Sequence, residues 1–145
     1  MNKVMAMMLI VMATIGCKQP EDYKKVRDEV MQFHDVVMTG HAKIVSNQLS
    51  LDTLMDNLDS VLLQHPGMDT LKEKKKIEAI IRRLSRAEAS MNNWMLKFEP
   101  DASDKTNEAA VAYFKKEKHK IEQIDTTYKT EIQSSDAYLS KFRKP

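Results

Sequence analysis

Apolar residues recur at alternating spacings of four and three over the first half of the chain, and this periodicity restricts the fold more than any other feature. Such spacing places every member on one side of an α-helix and is typical of a helix that packs against other helices. Gly40 and Asn47 interrupt the apolar series, so we predict a kink or break near residues 47–50. The full series is Val26, Val30, Phe33, Val37, Gly40, Ile44, Asn47, Leu51, Leu54, Leu58 and Val61.

Two further amphipathic segments follow the helix stops at Pro66-Gly67 and Pro100. In the second, Ile80 and Trp94 lie beside the main apolar face, and Thr70 with Glu73 predicts a capping box at its start. The main faces are Ile77, Ile81, Leu84, Ala87, Met91, Met95 and Phe98, then Ala110, Phe114, Ile121, Ile124, Tyr128, Ile132, Leu139 and Phe142.

Short connections between long helices make neighbouring helices antiparallel. With only three Gly and four Pro in 145 residues, the composition favours helix over sheet. We therefore predict an all-α fold over residues 21–145: an antiparallel three-helix bundle whose first helix is broken near residues 47–50.

The N-terminus has the pattern of a bacterial lipoprotein signal peptide. Lys3 gives a positive start, and the apolar run at residues 4–15 is shorter than the roughly 18 residues of a membrane span. Thr14-Ile15-Gly16-Cys17 then resembles the lipoprotein recognition box. We predict a signal peptide at residues 1–16, a lipidated Cys17 and a tether at residues 17–20. The alternative is an ordinary secretory peptide that leaves Cys17 free.

The predicted mature chain is almost neutral, because loss of Lys3 reduces Lys+Arg from 23 to 22 against 21 Asp+Glu. This balance gives no electrostatic basis for nucleic-acid binding. The expected location is the bacterial cell envelope, anchored by lipid to the outer membrane and facing the periplasm or the surface. An envelope protein partner and an oligomer stay open. We interpret the basic stretch at residues 72–86 as a solvated helix face, with anionic lipid headgroups as the alternative contact.

One edge of the first helix combines methionine and histidine at helical spacing. Folding the chain back about Pro66-Gly67 places two methionines of the second helix opposite this edge. Thioether and imidazole ligands suit Cu(I), so the predicted metal site comprises Met31, His34, Met38, His41, Met91 and Met95. The simpler interpretation is core packing, since Met fills irregular gaps between helices, and a third is a groove that binds a peptide.

Candidate catalytic groups are few. The sole Cys is predicted to be lipidated, and no Ser lies in a glycine-rich elbow. His34 and Asp35 are sequence neighbours and are expected to point to different faces, which predicts no acid–base pair. We expect no catalytic activity.

Two segments carry a resemblance to a family. They are Glu29-Val30-Met31-x-x-His34-Asp35-x-Val37-Met38 and Ala87-Glu88-Ala89-x-Met91-x-x-Trp94-Met95-x-x-Phe98. These segments resemble short bacterial helical lipoproteins that often carry the label "viral A-type inclusion protein". The resemblance implies an envelope-anchored helical domain and assigns it no particular role.

The sequence therefore predicts an envelope-anchored lipoprotein with a structural or protein-interaction domain. One alternative is a copper-type metal-binding lipoprotein that uses the Met/His site. Another is a chaperone-like adaptor that presents an amphipathic helix face to a second envelope protein.

Overall fold

A computed structural model of the chain describes residues 20–142 and contains, over this range, four α-helices and no strand. The helices are α1 (Tyr23–Asp56), α2 (Leu58–Leu62), α3 (Thr70–Lys97) and α4 (Asn107–Leu139), and a 3-10 turn at Ser140–Phe142 follows. The predicted all-α class is confirmed, and the described residues form four helices, the second of which has only five residues. The predicted signal peptide at residues 1–16, Cys17 and most of the tether lie outside the described residues.

The first helix is continuous at the place where a break was predicted. Asp22 caps it by accepting from the backbone N–H of Lys24 at 2.9 Å, and α1 then continues without interruption for 34 residues. The predicted break near residues 47–50 is wrong, because Asn47 bonds to side chains of α4 and leaves its own helix backbone undisturbed. The interruption falls at Asn57, whose backbone leaves the helical region and separates α1 from the five-residue α2.

The start of α3 also differs from the expectation. Asp69 caps the helix by accepting from the backbone N–H of Lys72 at 2.8 Å, so the predicted Thr70–Glu73 capping box is wrong. A carboxylate next to the positive end of the helix is a strong cap. Glu73 is consequently free to turn its side chain into the protein, where it is 6% exposed.

The core runs along the middle of the three long helices. In α3 the buried stripe is turned slightly from the predicted one: Ile80 and Trp94 are buried, Ile81 is half-buried, and Met95 is 37% exposed. This rotation follows from α3 contacting both α1 and α4. The largest fully buried apolar side chains are Tyr128, Phe114, Ile44, Leu51, Ile77, Leu84, Met91 and Ile121.

Contacts between the helices define their directions. The α1–α4 interface is the most extensive, and its bonds join Glu29 to Lys118 and Asn47 to Ser135, so both helices advance in the same direction. At their start, the side-chain amide of Asn107 accepts from the Tyr23 N–H and donates to the Glu21 carbonyl. The α3–α4 bonds, Arg83 to Glu131 and Tyr138 to Glu73, run in opposite order, so α3 is antiparallel to α4.

Candidate functional site

The six members of the predicted Met/His site are divided between α1 and α3, and they differ in accessibility. Met31 and Met95 are 38% and 37% exposed, whereas Met91 is completely buried in the core. The other three, His34, Met38 and His41, are half-buried. Ligand atoms of the set are therefore available to solvent on α1 and at Met95, while the Met91 thioether is enclosed by other side chains.

His34 faces α3. Its ring centroid lies 6.1 Å from that of Trp94 at a tilt of 31°. Its Nδ1 lies 3.1 Å from Oδ1 of Asp35, so the expectation that these two side chains point to different faces is wrong. The Asp35 side chain is 80% exposed and folds along the helix surface to reach the ring. This contact leaves Nε2 of His34 as the nitrogen available to a ligand.

His41, one heptad further on, is held by a different helix. Its Nδ1 lies 3.0 Å from the phenolic oxygen of Tyr128 on α4. Burial, aided by the negative charge of Glu88, raises the pKa of Tyr128 to about 12, so the phenol stays protonated at neutral pH. When the phenol donates to Nδ1, the proton of neutral His41 lies on Nε2, and neither nitrogen offers a lone pair to a metal.

The two interruptions of the apolar series in α1 have matching residues on α4. A β-carbon at Gly40 would lie 3.2 Å from Cδ2 of Tyr128, so the absence of a side chain makes room for this ring. Asn47 is 2% exposed, and its amide donates to Ser135 Oγ at 2.7 Å and to Asp136 Oδ1 at 3.1 Å. Gly40 and Asn47 are seven residues apart, as are Tyr128 and Ser135, so the two pairs fix one register between the helices.

A second polar group bridges α1 and α3 one heptad beyond His41 along α1. The Gln48 side-chain amide donates to Ser85 Oγ at 3.3 Å and to Glu88 Oε2 at 3.1 Å. The negative charge of Glu88 also contributes to the raised pKa of Tyr128, the α4 residue that bonds to His41. The sequence gave no signal that Gln48 of α1 would bond to Glu88 of α3.

Two buried carboxylates were also missed by sequence reasoning. Glu73 accepts from Tyr138 Oη at 2.7 Å and from Lys76 Nζ at 2.6 Å. The Lys76 bond lowers the pKa of the Glu73 carboxyl, burial opposes this effect, and the Tyr138 bond adds to it. Glu117 is 4% exposed and accepts from Lys120 at 2.6 Å. Both acids occupy positions at which the heptad spacing would place apolar residues. A lysine three residues later is the only feature of the sequence that indicates a buried carboxylate.

The basic stretch at residues 72–86 is partly paired in the structure. Arg83 donates to Glu131 at 2.8 Å, and Arg82 lies 3.9 Å from Glu78. Lys72, Lys74 and Lys75 are exposed. These placements agree with a solvated helix face.

Comparisons with known proteins add no relative: the chain matches no protein-family model, no curated protein and no solved structure at a significant level. Within residues 20–142, none of the helices combines the length and the apolar character that a membrane span requires. Over the same range, His, Cys, Asp and Glu side chains form no group of three that would hold a metal ion.

Proposed function

We propose that the chain is a bacterial envelope lipoprotein whose helical domain is a non-catalytic structural or protein-interaction module. The observation that carries this proposal is the Thr14-Ile15-Gly16-Cys17 box directly after a short apolar run with a positive start. Cleavage before Cys17 and acylation of its thiol would anchor the mature protein, because each buried methylene contributes about 0.8 kcal/mol and several chains act together.

In this proposal the anchor determines how the domain faces the bilayer. Five residues separate Cys17 from the start of α1 at Tyr23, and an extended chain spans at most about 3.5 Å per residue. The end of the domain that holds Tyr23, Asn107 and the α3–α4 connection would then lie within about 20 Å of the lipid surface. The opposite end, with α2 and the start of α3, would point away from that membrane.

The domain itself is best described as an up-down-up bundle of α1, α3 and α4, in which α2 extends α1 beyond Asn57. Helices of 28 and 34 residues are about 40–50 Å long, a length that suits a spacer or a docking module. Leu63 and Leu96 are each 84% exposed and Val36 is 57% exposed. In this proposal these side chains are available to a protein partner.

Fractionation of cells that express the full chain tests the proposal. We expect the wild-type protein in the envelope fraction, released by detergent and not by salt. Cys17→Ser should abolish the anchoring and leave residues 1–16 attached. Thr14→Leu is the matched control, since it makes the box more typical and should leave anchoring intact. Equal distribution of the wild type and Cys17→Ser would contradict the proposal.

A narrower metal site is the second candidate function. It is favoured by one observation: Met31 and Met95 are both partly exposed, and His34 beside α3 keeps Nε2 free. Two thioethers and one imidazole are a donor set that suits Cu(I). In this version three members of the set are structural. His41 is bonded to Tyr128, Met91 is enclosed in the core, and Met38 is half-buried against the core.

A further inference from the structure

The four most exposed large apolar side chains among residues 20–142 are leucines, and none of them belongs to α4. Leu63 and Leu96 are each 84% exposed, and Leu49 and Leu71 are each 63% exposed. Leu49 lies in α1, Leu63 directly follows α2, and the other two lie in α3. Exposed apolar side chains that share one side of a protein mark an interaction surface, so their positions around the two helices are informative.

On α1 and α2 the exposed leucines belong to one stripe. Its spacing of three, four, three and four places the members on one side of the helix axis. All of them are exposed, and the stripe comprises Leu49, Asp52, Asp56, Asp59 and Leu63. Gln48, one turn before Asp52, bonds to Ser85 and Glu88 of α3. The α1 stripe therefore runs along the side of α1 that borders α3.

A second stripe, on α3, borders α1. Ser85 belongs to it, since its hydroxyl accepts the bond from Gln48. Residues three, seven, eleven or fourteen positions from Ser85 share its side of the helix. The α3 stripe thus comprises Leu71, Lys74, Glu78, Arg82, Ser85 and Leu96, of which all but the half-buried Glu78 are exposed. The two stripes form one continuous surface, which we call the α1–α3 face.

The two stripes carry opposite charge. The α1 stripe has three aspartates, whereas the α3 stripe has Lys74 and Arg82, with the exposed Lys75 at its edge. Glu78, the one acid of the α3 stripe, lies 3.9 Å from Arg82. Within residues 20–142 the three aspartates and the two lysines take part in no ion pair. Each stripe therefore carries charge that a complementary surface would neutralise.

We infer that the α1–α3 face binds a second copy of the chain in a two-fold symmetric dimer. Each copy carries both stripes, so a closed two-fold contact pairs the α1 stripe of each copy with the α3 stripe of the other. The axis runs parallel to the helices, because this arrangement places α1 of one copy over α3 of the other at the same height. An axis across the helices would place α1 over α1, where the aspartates find no basic partner.

The register within one chain predicts the contacts of the dimer. The helices α1 and α3 are antiparallel, and Gln48 lies at the height of Ser85 and Glu88. Later residues of α1 and α2 are therefore at the height of earlier residues of α3, since both helices rise equally per residue. The pairs expected across the dimer are Asp52 with Arg82, Asp59 with Lys75, and Leu63 with Leu71. Acid meets base at two heights, and leucine meets leucine at the end of the face.

The size of the α1–α3 face fits a stable dimer. The 28 residues of α3 are about 42 Å long, and two helices side by side are about 20 Å wide. The face thus offers about 800 Å² per copy, which is the area that each partner buries in an interface of standard size. The inference does not rest on the lipid anchor, since it uses only described residues. The parallel axis nevertheless places both chain starts at the same end, as two anchors in one membrane require.

Charge-reversal variants of the full chain test the inference by sedimentation, with detergent micelles in excess over protein. The wild type should be a dimer. Asp52→Lys/Asp59→Lys should weaken dimerisation about tenfold or more, because both stripes are then positive. Lys75→Glu/Arg82→Glu should have the same effect, because both stripes are then negative. An equimolar mixture of the two variants should restore the dimer, a result that misfolded variants would not give.

Exposed charges on α4 supply the matched controls. Glu108→Lys and Lys116→Glu make the same changes of sign away from the α1–α3 face, and both should dimerise as the wild type does. Cys17→Ser should also dimerise normally, so failure of the anchor and failure of the dimer are distinguishable. A monomeric wild type, charge-reversal variants that dimerise as the controls do, or a mixture that stays monomeric would each overturn the inference.

Discussion

The ring of Tyr128 occupies the space that a side chain at Gly40 would fill. A β-carbon at position 40 would lie 3.2 Å from Cδ2 of Tyr128, and the ring is fixed because it is 1% exposed and its hydroxyl bonds to His41. A glycine within a helix costs about 1 kcal/mol relative to alanine. The space gained at this crossing is therefore the reason that α1 keeps a glycine in the middle of its contact with α4.

Gly40→Ala should lower the free energy of unfolding by about 1 kcal/mol, because overpacking costs about 1–3 kcal/mol and outweighs the better helix propensity. In a Tyr128→Leu background the same change should stabilise the protein by about 1 kcal/mol. Urea unfolding of the wild type, the two single variants and the double variant gives the coupling free energy between positions 40 and 128. Gly67→Ala is the control: no atom lies within 4 Å of its β-carbon, so it should be neutral or slightly stabilising. Additive effects at positions 40 and 128 would contradict the steric account.

Asn47 and Ser135 are expected to determine register more than stability. Asn47→Ala should lower the free energy of unfolding by about 1–3 kcal/mol, since it leaves the buried hydroxyl oxygen of Ser135 without its donor. The double variant Asn47→Leu/Ser135→Ala should be at least as stable as the wild type. It should nevertheless self-associate, because a wholly apolar contact face can pack in several registers and against other copies of the chain. Thermal unfolding and light scattering measure the two effects. A double variant that stays in the wild-type oligomeric state would argue against a register role.

The buried Glu73–Tyr138 pair predicts a defined dependence on pH. The folded protein holds the pKa of Glu73 below its usual 4.5, so this stabilisation is present above pH 4.5 and is lost as the pH falls through the lower folded value. Burial and the Glu73 bond raise the pKa of Tyr138, so its contribution is present below pH 10 and is lost as the pH rises through the higher folded value.

Tyr138→Phe should destabilise the protein by about 1.5–3 kcal/mol at pH 7, since it removes a hydrogen bond to a charged group. It should also move acid unfolding to higher pH, because one of the bonds that favour ionised Glu73 is lost. Equilibrium unfolding between pH 3 and pH 7 measures both effects. Glu78→Gln, on the same helix and only half-buried, should change little. If Tyr138→Phe had the pH profile of the wild type, the bond would not contribute as described.

The narrower metal site makes a prediction that separates the two histidines. Cu(I) under reducing conditions should raise the melting temperature, because a ligand that binds only the folded state stabilises it. His34→Ala should abolish the increase, whereas His41→Ala should retain it from a lower starting temperature, since its loss removes the Tyr128 contact. Differential scanning fluorimetry measures the shift. An equal response in both variants would exclude His34 as a ligand.

Local periodicity predicted the fold class and most of the core but not the ends of the helices. The apolar series of α1 is buried at Val26, Val30, Val37, Ile44 and Leu51. Apolar residues at helical spacing share one face of the helix, and packing that face against other helices removes them from water. The helix is continuous at Asn47, because the Asn47 side chain bonds to Ser135 of α4, 88 residues away in sequence. The interruption lies at Asn57 instead. A polar residue within an apolar series can indicate either a helix break or a buried hydrogen bond. Which of the two occurs depends on the residues that face it on the opposite helix.

The candidate site was harder to predict for the same reason. Helical spacing predicted that Met31, His34 and His41 share one edge of α1. In the structure His34 lies beside Trp94 of α3 and His41 bonds to Tyr128 of α4. The spacing did not indicate that His41 would bond to Tyr128, or that Glu73 would turn inward to Tyr138, since these pairs depend on how α4 packs against its neighbours. The Asp35 contact with His34 depends on side-chain rotamers, which spacing does not describe.

Mass spectrometry of the N-terminal peptide from the envelope fraction tests the proposed lipoprotein most directly. The account predicts a peptide that begins at Cys17 and carries the added mass of a diacylglyceryl group and an N-acyl chain. A peptide that begins at Met1, or one that contains Cys17 without acyl mass, would contradict it.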